Sequence, residues 1–473
     1  MPRWIRAACA LLFAAVVLPV AAQASARMPI GFYDDASFRW SSDRLTNLAD
    51  AAAAGATVIH TNANWATIAP TRPANPASGD DPAYVLSDLD ELVGAAPQYG
   101  LRVMITIVGT PKWANGGQSP NHMPKHLSDL TTFAHMLASR YNGTTGHGSV
   151  SLWSVWNEPN LQLFLTPQFS GKKIVSPRLY ASLYKAAYSG IKAGNPTAQV
   201  AIGETSPQGR DKPTAIKGQG QSVAPGTFAK MVAATKGLKF TAWAQHPYPT
   251  STGGKALGKA RYPNVPLTNL RLFEQNLTKF FHRPVPLWLT EYGHETKPAE
   301  PHGVTYAQQA LYAKQALAYA KADPDVQMFV WFTFRDSTGN PWQSGLEQSS
   351  GQHKPSFAAF TSLARGITGA YQVVPRAKTP VVKLYVPMIS YYTSTGSIVG
   401  ITYTMRDKHG RVISMGEPTG TMAADQSVTF VPNFIVRNGD WYTVTATVND
   451  ASGHTETVVT ELQATSKATP KKK

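Results

Sequence analysis

Between Ile30 and about Ala364 short apolar runs alternate with longer stretches of helix-like character, the pattern of βα units laid on a parallel sheet. Eight such runs predict strands: Ile30–Tyr33, Thr57–Thr61, Arg102–Val108, Ser151–Trp156, Gln199–Gly203, Thr241–Gln245, Pro286–Thr290 and Gln327–Thr333. The intervening stretches carry helix-start signals, among them Ser87 with Asp90 three residues on, Ser176-Pro177, and Thr305 with Gln308. Eight strands with their helices fill about 340 residues, which predicts a (β/α)8 barrel with loop insertions. A doubly wound sheet is the competing reading. It calls for a Gly-rich phosphate loop after an early strand, whereas Gly143-Thr-Thr-Gly-His-Gly148 precedes a strand and lacks the Lys-Ser/Thr ending, so that segment is a turn.

After Lys354-Pro355-Ser356 and the helix-like Phe357–Ala364 the periodicity changes. A Gly/Pro/Lys linker is expected at 365–380, followed by runs rich in Val, Thr and Tyr: Val381–Val386, Ile398–Met405, Val412–Ser414, Ser427–Val431, Trp441–Val448 and Thr455–Leu462. Turn signals fall at Lys408-His-Gly410, Asn438-Gly439 and Ser452-Gly453. Short strands at this density predict an immunoglobulin-like β-sandwich over 381–464. The catalytic-sized unit is then 27–364, and a basic tail, 465–473, closes the chain.

The first residues read differently. Arg3 and Arg6 precede an apolar run from Ala7 to Val20, and Ala24-Ser25-Ala26 fits a signal peptidase site, so residues 1–26 are expected to be a cleavable signal peptide and the protein to be secreted. No later segment offers the ~20 uninterrupted apolar residues of a membrane span. Cys9 is the single cysteine and lies within the signal, leaving the mature chain without thiol, disulfide or cysteine-ligated metal. The net charge of +16 and pI of about 9.7 raise nucleic acid or an anionic polymer as partners. Yet the basic residues are scattered apart from Lys467–Lys473, and no nucleic-acid motif is present. Contact with an anionic cell envelope through the tail is the remaining expectation.

In a barrel the chemistry sits at the C-terminal ends of the strands. Two glutamates appear there. Strand four ends Trp156-Asn157-Glu158-Pro159-Asn160, and strand seven ends Thr290-Glu291-Tyr292-Gly293. Glycoside hydrolysis needs one carboxyl group to protonate the leaving oxygen and a second carboxylate to meet the charge growing at the sugar carbon, about 5–5.5 Å away in retaining enzymes. A glutamate pair on one rim supplies both.

These two motifs, in this order on these strands, resemble clan A of the retaining glycoside hydrolases, and the resemblance spans most of residues 28–364. It implies Glu158 as acid/base, Glu291 as nucleophile and Asn157 as the holder of the sugar 2-hydroxyl. Strand six ends Gln245-His246-Pro247-Tyr248, and the clan commonly orients its carboxylates from there, which points to His246 and Tyr248. Gly109-Thr110-Pro111-Lys112-Trp113-Ala114 is most similar to family 39, the xylosidase and iduronidase group, with family 5 next. One departure weakens a family 5 cellulase placement. The strand-two stretch His60-Thr61-Asn62-Ala63-Asn64-Trp65 holds no arginine, and Asn62 or His60 is expected to take over part of its polar role.

Aromatic residues near strand ends, Trp113 and Trp331 first and then Trp65, Trp342, Tyr248 and Tyr292, are candidate sugar platforms. Trp153 and Trp288 read as core. Glu204, ending strand five, and Arg335 with Asp336 after strand eight are candidate contacts for hydroxyls or an acidic sugar. The histidines show no metal-site spacing and no Gly-x-Ser-x-Gly occurs, so neither metal nor cofactor is expected. The expected partner is an oligosaccharide or polysaccharide. The competing function is a non-catalytic carbohydrate-binding or cell-envelope protein on a barrel scaffold, against which stands the intact glutamate pair.

Overall fold

A computed structural model describes residues 28–216, 218–338 and 342–364, and in the C-terminal part residues 370–372, 381–385, 398–416, 427–430, 440–450 and 455–463. The expected signal peptide, most of the linker and the basic tail lie outside the described residues.

The eight predicted strands are all present. They are β1 (Ile30–Tyr33), β2 (Val58–Asn64), β3 (Arg102–Val108), β4 (Leu152–Val155), β5 (Gln199–Thr205), β6 (Trp243–Gln245), β7 (Leu287–Leu289) and β8 (Val326–Phe332). All pair in parallel with their neighbours, and β1 closes on β8 to complete a barrel. β4, β6 and β7 are shorter than the apolar runs that predict them. The chain leaves the sheet where residues must turn into the mouth, as at Trp156, whose φ is +71°.

Because side chains alternate across a strand, each strand sends every second residue into the barrel. The lowest inward layer is apolar and includes Val58, Met104, Leu152, Ala201, Trp288 and Met328. Two residues further along the strands, or three on β5 where the pairing is irregular, the inward positions become polar: His60, Thr106, Ser154, Glu204, His246 and Thr290 are all buried. The outward positions, such as Ile59, Ile105, Trp153, Trp243 and Leu289, belong to the larger core under the helices. Trp153 and Trp288 are therefore both core, on opposite sides of the barrel wall.

Of the helix starts, Thr305 forms the full capping box with Gln308 ahead of helix Tyr306–Lys321. Helices do begin at Ser87 and Ser176, without a side-chain cap. The Ser176 hydroxyl instead donates to Gln168 Oε1 at 2.7 Å, a buried tertiary contact that outcompetes the local one.

The C-terminal part is all-β. Strands β9 (Ala370–Gln372), β10 (Val381–Tyr385) and β13 (Ser427–Phe430) form one antiparallel sheet in the order β9-β10-β13, while β11 (Ile398–Arg406), β12 (Val412–Gly416), β14 (Trp441–Asp450) and β15 (Thr455–Gln463) form another in the order β12-β11-β14-β15. β9 lies within the stretch expected as a linker, 365–380. Three of its residues pair in register with β10, a contact that sequence neighbours alone do not announce.

Gly31 shows how tightly the barrel closes: a Cβ at this position would lie 1.7 Å from the Val58 carbonyl oxygen of β2. Neither backbone can yield without breaking the β1–β2 ladder. Gly31→Ala is therefore expected to lower stability by at least ~2 kcal/mol, as overpacking against backbone does, read from the midpoint of urea unfolding at unchanged slope.

Candidate active site

The strand ends converge on a cavity of about 610 Å³, within the range of small-molecule sites, whose wall includes Asn62, Asn157, Glu158, Tyr248, Glu291 and Trp342. Six residues from five different parts of the chain thus meet at the predicted end of the barrel.

The segment after β4 is fixed by its own side chains. Asn160 accepts the Ser206 amide at 2.9 Å and donates to the Val223 carbonyl at 3.0 Å, tying this loop to the one after β5. Trp156 donates through its indole to the Phe164 carbonyl at 2.6 Å, and Gln168 donates to the Pro159 carbonyl at 2.9 Å. Between these anchors Glu158 is held at φ +36°. On β5 the pairing with β6 shifts between Ile202 and Thr205, and there Gly203 has φ +116° and Glu204 φ +48°. Such a bulge re-aims a side chain, here the Glu204 carboxylate under the cavity floor. Among the described residues four non-glycines have positive φ, and three of them, Trp156, Glu158 and Glu204, end β4 and β5 at this site. Each costs on the order of 1–3 kcal/mol, the signature of a backbone held for a purpose other than stability.

His246, fully buried, organises the carboxylates. Its Nδ1 lies 3.2 Å from Glu158 Oε1 and 3.4 Å from Glu291 Oε2, and its Nε2 lies 2.8 Å from Glu204 Oε2. Two oxygens that share one nitrogen within 3.4 Å are separated by less than twice that distance, so Glu158 and Glu291 face each other at close quarters.

Burial alone would lower the His246 pKa. The charges of Glu291 and Glu204 and the bonds to Glu158 and Glu204 overcome that and raise it well above the ordinary value, so the ring is an imidazolium donating from both nitrogens. Reciprocally, burial works against ionised Glu204, but the bond and charge of His246 hold its pKa below the usual carboxylate value. Glu291 moves the other way, to about 7: burial raises it, as do Glu158 and Glu204, against the opposing charge of His246 and the bond from Tyr248. The Tyr248 hydroxyl donates to Glu291 Oε2 at 3.0 Å, and burial beside Glu291 keeps the phenol protonated.

Beneath this, Thr290 donates to Glu204 Oε2 at 2.5 Å. His60, whose pKa burial lowers to about 4, is neutral. Its Nδ1–H donates to the Thr290 carbonyl at 3.1 Å, and Nε2 accepts from Thr106 at 2.6 Å. The residue before Glu291 is thus gripped by both the side chain of Glu204 and the ring of His60.

The sequence-based candidates divide accordingly. Glu158, Glu291, Asn157, Tyr248 and Asn62 reach the cavity, and Asn62 donates to the Tyr33 hydroxyl at 2.5 Å while its buried Oδ1 has no hydrogen-bond partner. His246, Glu204 and His60 lie in the layer below it. For Glu204 this corrects the expected hydroxyl contact: its carboxylate is sealed from the cavity. Trp342 lines the cavity and meets Tyr248 edge-on at 5.3 Å.

Trp331 does not reach it. An outward position on β8 buries it against Tyr292 and Phe360, with its indole donating to the Ser344 carbonyl. Trp113, half-buried, donates to the Ala69 carbonyl and packs on Trp65 and Arg72, away from the cavity. Trp65 is core, stacked on Phe133, and Tyr292 backs Tyr248 from the buried side. Arg335 and Asp336 are taken up by ion pairs with Glu347 and Lys354, both at 2.7 Å. Tyr33 was not among the candidates, although it ends β1 and lines the cavity beside Glu291. The strand-end rule applied to β1 identifies it.

A barrel of this topology with two facing carboxylates at the ends of β4 and β7 defines a clan A glycoside hydrolase. The family Cellulase (glycosyl hydrolase family 5) matches residues 28–334, more than half of the chain, and the protein belongs to that family. No curated protein matches it by sequence. Among solved structures it is similar in fold to a family 39 glycoside hydrolase from the gut symbiont Bacteroides cellulosilyticus WH2, with TM-score 0.53 and 17% identity over 87% of this chain and 81% of that one. It is also similar in fold to a glucosidase from Croceicoccus marinus, with TM-score 0.56 and 14% identity over 86% of this chain and 93% of that one.

Membership of family 5 overturns the weakening inferred from the missing strand-two arginine. Arg39, from the helical turn after β1, reaches the end of β2 instead, donating to the Asn62 carbonyl at 2.6 Å and to Thr61 Oγ1 at 3.1 Å.

Removing the charge of Glu204 tests the electrostatic layer. Glu204→Gln leaves His246 buried with less counter-charge and is expected to cost ~3 kcal/mol at pH 7, the order of magnitude for breaking a buried pair. Because the folded-state pKa of Glu204 is depressed below its ordinary 4.5, its contribution is present above that value and lost as pH falls through the folded one. Denaturation of wild type and variant is therefore expected to show a stability gap that is full at pH 7 and shrinks toward acid.

Proposed function

We propose that this protein is a secreted retaining glycoside hydrolase that cleaves β-glycosidic bonds of oligo- or polysaccharides by double displacement. The observation that carries the reading is the convergence of Glu158 and Glu291 on one nitrogen of His246, within 3.4 Å. Oxygens that share one nitrogen at 3.2 and 3.4 Å stand close to each other, which supports the carboxylate spacing of about 5–5.5 Å that retaining chemistry uses.

Glu291 attacks the anomeric carbon as the bond to the leaving oxygen breaks, and Glu158 gives that oxygen its proton. Water then attacks the same carbon, Glu158 takes the water's proton, and the ester to Glu291 breaks with net retention. The two roles follow from the donors. Glu291 receives the Tyr248 hydroxyl at 3.0 Å, which supports it as the attacking carboxylate, while His246 Nδ1 meets both carboxylates and Glu158, across from Glu291, is left as the proton donor. Asn157 lines the cavity wall beside Glu158, which supports a role in holding a sugar hydroxyl, and Trp342 with Tyr248 offers an apolar face for a ring. The signal-like residues 1–26 support export, and the basic tail supports contact with an anionic envelope.

Turnover of aryl β-glycosides and polysaccharides by the mature protein, with the product anomer followed by NMR, tests this directly. Glu291→Gln is expected to abolish turnover and Glu158→Gln to lower it by ~10²–10⁴-fold, least for substrates with acidic leaving groups. Glycan binding without turnover on any substrate, or an inverted product, would overturn the reading.

A pH profile adds a second check. Glu291 must be ionised to attack and its pKa is raised to about 7, so kcat/KM is expected to fall as pH drops through about 7, with an apparent value that belongs to the carboxylate pair. Tyr248→Phe removes a bond that lowers the Glu291 pKa, so this acid limb moves to higher pH. A limb that stays in place in the variant contradicts the role given to Tyr248.

A further inference from the structure

At the opposite end of the barrel, three carboxylates meet with little to neutralise them. Glu274 belongs to helix Leu270–Phe281, and Asp323 and Asp325 belong to the turn that leads into β8. The Leu287 amide, at the start of β7, donates to the Asp325 carbonyl at 2.8 Å, which fixes this turn at the N-terminal ends of the strands. One oxygen from each of the three side chains lies within 4.8 Å of the other two.

Glu274 and Asp323 are more than nine-tenths buried, and Glu274 Oε1 and Asp323 Oδ2 have no hydrogen-bond partner. A basic group approaches: Arg271 Nε forms a 3.5 Å ion pair with Asp323 Oδ2 without a hydrogen bond, and its side chain is 68% exposed. It cannot balance three acidic groups, two of them buried. An unpaired buried carboxylate is strongly destabilising unless a proton or a cation neutralises it, and one cation can serve an oxygen of each of the three residues at once. Oxygens that each touch one ion at about 2.4 Å can be up to about 4.8 Å apart, and the three oxygens here lie within that limit of one another.

We propose that Glu274, Asp323 and Asp325 bind a divalent cation of calcium's size, pinning helix Leu270–Phe281 to the turn before β8. Asp325, exposed, gives the ion its entrance, and water completes the coordination shell that three carboxylates leave open. The site is independent of the catalytic cavity: it tightens the base of the barrel and leaves the carboxylate pair at the mouth unchanged.

The test uses the full-length protein stripped with EDTA and dialysed, with its thermal midpoint followed as calcium chloride or magnesium chloride is added. Wild type is expected to gain several degrees with calcium and less with magnesium, which needs shorter bonds and a stricter octahedron. Asp325→Asn, an exposed change that leaves packing intact, is expected to weaken the apparent calcium affinity at least tenfold, and Glu274→Gln to abolish the response while being no less stable than wild type in EDTA. A wild-type midpoint indifferent to calcium overturns the proposal. So does a calcium response of equal size in wild type and both variants, which would put the ion elsewhere, or a magnesium response exceeding that of calcium.

Discussion

A single buried imidazolium sets the terms for the active site. His246 stands between three carboxylates, and its charge offsets the repulsion that would otherwise act among them in this buried layer. Its two nitrogens face in different directions. Nε2 is committed downward to Glu204, which is sealed in the barrel, so Nδ1 is left facing the mouth, where Glu158 and Glu291 meet it. The lower pair fixes the ring, and the ring fixes the distance between the upper two. Fixing a distance in this way is preorganisation: the groups stand where the reaction needs them before a substrate arrives.

The alternation of a β-strand explains why this arrangement falls where it does. Successive inward residues of one strand are stacked, so composition along a strand becomes depth in the barrel. β2 places Val58, His60 and Asn62 at the floor, the buried polar layer and the cavity wall in turn. β3 and β4 repeat the first two steps with Met104 then Thr106, and Leu152 then Ser154, whose hydroxyls bond at 2.5 Å. The polar layer is connected through Thr106 to His60 and on to the Thr290 carbonyl, so its groups are satisfied although they are far from water. An apolar floor excludes solvent from below, and the polar layer carries the orientation upward.

That logic also marks what the sequence discloses. Strand positions, the closed barrel, the all-β C-terminal part and the convergence of Glu158, Glu291, His246 and Tyr248 are legible because they depend on local periodicity and on the rule that strand ends carry the chemistry. The misplaced residues depend on something else. Trp331 lies close to a strand end, but which face a side chain takes is set by register, and a shift of one position sends it under the helices; Trp113 lies beyond β3 in the helical turn Lys112–Asn115, which turns it toward Ala69 and Trp65. Glu204 ends β5 as predicted, yet the bulge at Gly203 turns it beneath the cavity. Arg39, from the turn after β1, meets the end of β2 at the Asn62 carbonyl, with its charge paired to Asp35 and Asp88, a neighbourhood that linear order conceals.

The acidic group at the base escapes sequence reading for a related reason. Asp323 and Asp325 are close in sequence, but Glu274 joins them from a helix two units earlier in the barrel, and Asp-rich turns are ordinary on a protein surface. Burial is what changes their meaning. Oxygens without partners are tolerated only where stability is surplus or a ligand completes them, and this chain has already placed three strained backbone residues at the mouth. Closing the base around an ion and closing the mouth around a charged ring are two forms of one solution, in which opposite charge is used to hold elements that packing alone would leave free to shift.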